Sequence, residues 1–341
     1  MAALVALLFT WMQVSQNTKE VRISEHGEVT NRFNTAITNL ASPSPTVRLG
    51  GIFAFNRIMQ DSPRDEESAV SVLSAFVRQS TSKIKGGTKK PTTDIESAIS
   101  VLGARPTSST TGQFVDLHNA DLQRMENVQL LGNEENLNLR DAKLSYINLR
   151  DATLWSFDLT NADLASARMP DAVLQYSHLN KVAASEADMS GVQCINSDLT
   201  EASLQDAKLT NAQLGTDEPG YAEPACILAK ANLSGANMTR ADLSHVDLED
   251  AQLIGVNLTD AKLKGAQMRG AALTPIDAES GAAKVSGADF RQADLRNADL
   301  RLVDLSHCDL RGADLRGAKL DGARLKGAKL DGAQGVPAKH G

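Results

Sequence analysis

The chain has 341 residues and a formal net charge of −7; 42% of its residues are hydrophobic but only 4% are aromatic. That balance describes a soluble acidic protein and excludes both a strongly basic nucleic-acid binder and a ring-filled core. Three cysteines without a CxxC pair exclude a disulfide framework and fit a reducing compartment.

Residues 1–17 form a hydrophobic segment, in which Ala2–Val14 is apolar apart from Thr10 and Gln13. As a helix that stretch covers only ~20 Å, against ~30 Å of hydrocarbon. It has neither the charged start nor the small-residue cleavage site of a signal peptide. Trp11 suits a membrane interface, and Lys19 and Arg22 favour keeping the repeats in the cytoplasm. The segment is therefore expected to anchor the chain at a membrane through Ala2–Val14; the competing reading is a helix packed on its own domain in a cytoplasmic protein.

Residues 18–105 have no short repeat and read as helical, with candidate helices at 18–40, 46–60, 65–79 and 93–102. Ser62-Pro63 is a start signal for the third. Between the last two, Lys85-Gly86-Gly87-Thr88-Lys89-Lys90-Pro91 reads as a basic loop. Residues 106–112 are a linker.

From 113 to 334 a five-residue period takes over: a small residue, a polar one, then Leu, as in Ala293-Asp294-Leu295-Arg296-Asn297. Of 37 units, 30 have Leu at the centre and 24 have Ala two places earlier. Five fits neither a 3.6-residue helix nor a two-residue strand, so the chain must turn a corner at each unit. The central residue and the small one then return to the interior, which predicts a solenoid. The phase breaks within 123–138, at Gly215–Ala225 with its Pro219-Gly220 and Pro224, and near 279–282, where the phase shift corresponds to about two extra residues. Residues 335–341 form a short tail.

Units such as Ala162-Asp163-Leu164, Ala231-Asn232-Leu233 and Ala313-Asp314-Leu315 resemble the pentapeptide repeat family, whose unit is written A(D/N)Lxx. The resemblance implies an all-β right-handed quadrilateral β-helix, four units to a coil, preceded here by an α-helical region. About nine coils at ~4.8 Å each give a rod ~45 Å long. The stretch from Val47 to Ile58, followed by Asp61-Ser62-Pro63-Arg64-Asp65, resembles the helical region preceding the repeats in a bacterial subgroup, where a membrane segment commonly comes first.

A search for chemistry finds no catalytic, cofactor-binding or metal site. Cys194, Cys226 and Cys308 occupy interior positions of the repeat, and His118, His178, His245 and His307 fall on outward ones without HxH or HxxxH spacing. Ser244-His245 and Ser306-His307 place Ser beside His because the unit favours Ser after Leu. The recurring Asp residues read as a solvated face. Residues twenty apart should stack, setting Asp299, Asp304 and Asp309 under Lys319, Arg324 and Lys329, and Arg301 and Arg311 under Asp321 and Asp331.

These observations point to a non-enzymatic scaffold or protein-binding module, membrane-associated with its repeats in the cytoplasm, that binds an unidentified protein and needs no cofactor. The alternative comes from the resemblance: some family members mimic B-DNA in width and charge and regulate type II topoisomerases. Residues 111–287 carry about −12, compatible with occupying a cleft built for phosphates. In that reading the partner is a DNA-binding enzyme rather than nucleic acid.

Overall fold

The computed structural model describes residues 30–82, 90–105, 115–126, 137–217, 225–274 and 283–336. The hydrophobic segment 1–17, the linker 106–112, most of the tail and the tips of all three phase breaks lie outside the described residues.

Among the described residues four helices come first: α1 over residues 30–40, α2 Pro45–Asp61, α3 Glu66–Ser82 and α4 Thr93–Gly103. Pro45 opens α2 at a position where its missing N–H costs nothing, and Glu66 and Glu67 place negative charge in the first turn of α3. Ile52, Phe55, Ile58 and Met59 make the inner stripe of α2, with the Phe55 ring edge-on to Phe33 at 5.2 Å. A Cβ on Gly51 would stand 2.8 Å from the Ala36 carbonyl, so α1 and α2 approach backbone to backbone. Helix α4 is almost wholly buried against α2 and α3. The Asp94 carboxylate there takes Arg48 Nε at 2.6 Å, while Arg48 also donates to the carbonyls of Ser42 and Pro43 at 3.0 Å. Burial raises the Asp94 pKa, but the Arg48 and Thr92 hydrogen bonds outweigh it and hold the carboxyl below its usual range.

The repeats form a four-sided coil. Bridges join Lys143 to Asp163, Asp163 to Ala183 and Ala183 to Ser203, all parallel and twenty residues apart. Among the described residues only β1 (Leu137–Asn138) and β2 (Phe157–Asp158) extend to two residues, in register, because a corner interrupts each side. At each corner the second residue after the centre has positive φ, near +58° at Asn161 and Asp206 and near +71° at Gly235.

One unit, Ala162–Ser166, shows where its N–H groups go. Ala162 donates to Leu159 across the corner at 2.9 Å; Asp163 donates to Ala142 of the coil below at 2.9 Å. Leu164 and Ser166 donate to Ala183 and Ser185 of the coil above at 2.7 and 2.9 Å. The remaining donor, Ala165 N–H, is taken by the Asp163 side chain at 3.0 Å. The same bond recurs from Asp158, Asp188, Asn232, Asn237 and Asn257. The Asp/Asn of the motif therefore has a structural task that its reading as a solvated face did not include. It satisfies the one N–H that neither neighbouring coil can reach.

The interior is dry and narrow: Leu295, Leu300 and Leu305 are completely buried, as are Ala293 and Ala298 to within 1%. One corner departs from the rule. The Ser177 hydroxyl accepts from Phe157 N–H at 3.2 Å and donates to Leu154 O at 3.0 Å, inserting itself where the corner bond would be; Ser197 does the same one coil higher.

The coils crossing the breaks contain 27, 29 and 27 residues, as seen in Asp116–Lys143, Asp198–Ile227 and Asn257–Lys284. The third break thus holds seven residues beyond a regular coil, not about two. Phase counting cannot see a whole unit of five absorbed into a loop.

The helical region is docked on the first coil. Arg105 joins the Leu102 and Asn138 carbonyls at 2.8 and 2.9 Å, and the Leu137 side chain fills the space beside Gly103. From α3, Arg78 binds both the Asp116 carboxylate and its carbonyl, and Ser74 Oγ accepts from Asp116 N–H at 3.4 Å. Helices α3 and α4 thereby cover the lower edge of the solenoid, which would otherwise expose unpaired strand groups.

Candidate functional site

The residues weighed for chemistry do not converge. Cys194, Cys226 and Cys308 are buried and unbridged. Burial pushes the Cys226 thiol well up and Cys308 up to about 11, so neither is a reactive thiolate. Ser244 is fully buried and His245 points outward, so the pair is not a nucleophile with its base. The Ser306 N–H is held by Asp304 at 3.0 Å. Among the described residues, no group of three or more His, Cys, Asp or Glu could hold a metal ion.

Two polar constellations are nonetheless built, and neither was visible in the sequence pattern. The first lies at the joint with the helical region, where His118 Nδ1 sits 2.5 Å from Asp116 Oδ1 and 3.3 Å from Arg78. Burial raises the Asp116 pKa, but hydrogen bonds from Arg78 and His118 override it and bring the carboxyl down to about 2. The second lies at the base of the Gly215–Ala225 break. Lys264 Nζ grips both Asp217 oxygens at 2.8 and 2.9 Å, and His245 Nε2 lies 3.4 Å away. The Lys264 bond holds the Asp217 carboxyl below its ordinary value. Gly215 lies on the backbone of Ser244, so close that a Cβ would stand 2.0 Å from its carbonyl oxygen. The loop base is therefore fixed to the rod.

Near the C-terminal end the expected stacked pairs are only part of the picture. Lys319, Arg324 and Lys329 do reach Asp299, Asp304 and Asp309 at 3.7, 3.7 and 3.8 Å. Arg301 and Arg311 turn instead to Asp299 and Asp309 of their own units at 2.7 Å. A guanidinium two residues beyond an Asp meets it along one side of the coil, a shorter path than to the next coil. These pairs are exposed and worth little individually.

The outer surface is therefore a set of side-chain ladders on a backbone whose inter-coil hydrogen bonds are made throughout the repeats. The family model for pentapeptide repeats matches eight copies, within residues 136–175, 177–215, 225–253, 236–274, 282–312 and 298–334. The chain belongs to the pentapeptide repeat family. Its repeat region is a right-handed quadrilateral β-helix preceded by α-helices. A search of the curated proteins finds no significant match. Among solved structures, the chain is similar to HetL, a pentapeptide repeat protein involved in heterocyst differentiation regulation from the cyanobacterium Nostoc sp. strain PCC 7120. Identity is 32% over 59% of this chain and 90% of that one, with a TM-score of 0.36. It is also similar to QnrB1, a plasmid-mediated fluoroquinolone resistance protein, at 21% identity over 52% and 72% of the chains and a TM-score of 0.25. A pentapeptide repeat protein from the Arabidopsis thaliana thylakoid lumen is 26% identical over 36% and 67%, with a TM-score of 0.18.

Proposed function

We propose that this pentapeptide repeat protein is a non-enzymatic scaffold that binds another protein through the side chains of its coils. The observation carrying this reading is the backbone accounting of the repeat unit. Its inter-coil N–H groups are consumed within the rod, and the N–H after the centre is capped wherever Asp or Asn precedes the centre, leaving a rigid array of outward side chains with no reactive group among those described. The fixed base at Gly215–Asp217 supports a loop on that array, where recognition is expected to concentrate. Full-length protein as bait, compared with a chain whose residues 218–224 are replaced by Gly and Ser, tests it. Saturable capture of a partner by the first and weaker capture by the second is expected. Equal capture would remove the loop from the account, and turnover of a substrate would end the scaffold reading.

Membrane association rests on the apolar Ala2–Val14 stretch alone. No helix among the described residues is long and apolar enough to cross a membrane. Resistance of the native protein to a high-pH carbonate wash would support an embedded anchor, and its release would rule out a spanning one. The charge of about −12 on residues 111–287 favours a second reading, the DNA mimic. Unchanged gyrase supercoiling at micromolar protein would remove it.

A further inference from the structure

We infer that one side of the rod is a self-association surface, on which a second copy of this chain docks about a two-fold axis. The side is built by the units centred on Leu154, Leu174, Cys194 and Leu214, stacked in register through Thr153–Val173, Val173–Gln193 and Gln193–Gln213. In each unit the position before the centre and the two after it lie on the outside of the coil, and all but Gly215, which is covered by Ser244, are at least partly exposed. On this side none of the twelve is charged, whereas the other three sides of the same four coils carry six, four and six charged residues. In place of charges stand Trp155, Val173, Gln175, Gln193, Ile195 and Gln213, with Trp155 47% exposed.

The chemistry of that strip selects the occupant. Removing charged groups from water is costly, and interface centres are accordingly poor in charge and rich in aromatic residues. Two of the other sides of these coils are net acidic, so copies brought together there oppose like charges; the third is balanced, and its six charged groups would have to leave water. Glutamine amides both donate and accept, so a ladder of them is complementary to its own two-fold image, unlike a ladder of carboxylates. The backbone of these coils is already bonded above and below, so contact runs through side chains and not by strand addition. Eleven exposed positions per copy are about half of the roughly 20–30 residues per side of a standard interface, which makes the dimer transient.

Sedimentation velocity of the full chain from about 1 to 200 μM tests this, the range in which an interface of this size reports. The expected result is a weight-average mass rising from one chain toward twice that. Added salt strengthens the association, because it screens repulsion between acidic rods while the strip has no charge to screen. The double variant Gln175→Glu/Gln193→Glu should weaken it at least tenfold, whereas Gln205→Glu, on the opposite side of the coil, should leave it unchanged. Circular dichroism confirms that each variant is folded. A chain that stays monomeric throughout, a dimer that salt dissociates, or one indifferent to the double variant overturns the proposal.

Discussion

The second residue after each centre decides whether a unit can close its corner, because backbone there has positive φ. Asp and Asn tolerate that conformation, and at several corners glycine stands where the coil below leaves no room. Gly235 is such a place: an added Cβ would stand 2.0 Å from Asp206 Oδ1, and Gly191 stands in the same relation to Asp171 at 2.2 Å. Replacing Gly235 with Ala should cost about 1–3 kcal/mol in chemical denaturation, from positive φ and the clash together. Adding Asp206→Ala should return the clash component and leave the conformational one. The motif Asp offers a second test at this scale. Asp163→Ala should lose about 0.5–2 kcal/mol through the orphaned Ala165 N–H, and Asp163→Asn should lose little, since the amide oxygen caps as well as a carboxylate. An equal loss for both would mean that charge, not capping, is what the position needs.

Between the repeats and the helices, the decisive element is the cover that α3 and α4 place over the first coil. Asp116 is its electrostatic centre, with a pKa depressed from 3.8 to about 2. A depressed carboxyl stabilises the folded form above its unfolded pKa, and that contribution is lost as pH falls from about 4 towards 2. Arg78→Ala should abolish most of this acid-sensitive component. It should also speed amide exchange in residues 115–126 while leaving the coils beyond residue 160 protected; uniform loosening of the rod would contradict a local cap. The helices themselves were legible: expected spans at 46–60, 65–79 and 93–102 differ from the observed ones by at most three residues at their ends. Their docking was not. Arg78, Ser74 and Arg105 are single residues whose partners lie 38, 42 and 33 positions away, and no periodicity marks such pairs.

At the scale of the molecule, the fold was readable because every unit repeats the same local solution, so Leu, Ala and Asp/Asn report interior, corner and cap by position alone. What the repeat could not report is anything counted modulo five. The third break conceals a full unit, and Asp217 meets Lys264 only because a 29-residue coil carries the chain across the break. The uncharged side was equally hidden, since it emerges only when residues twenty apart are laid over one another. Cooperativity arises from the same stacking. Leu253→Ala, in the closed middle of the rod, should cost about 2–5 kcal/mol because neither neighbouring coil can collapse into the cavity. Leu330→Ala, half-buried in the last coil, should cost clearly less in the same denaturation experiment.

Residue-resolved amide hydrogen exchange of the native chain tests the closed coil most directly. Across residues 139–214 the account predicts protection with a five-residue period. The N–H groups of the central residue, the one before it and the second after it should be slowest, and the N–H just after the centre, which faces out of the coil and is capped only where Asp or Asn precedes the centre, fastest. Protection without that period, or rapid exchange at Leu164, Leu204 and their equivalents, would contradict it.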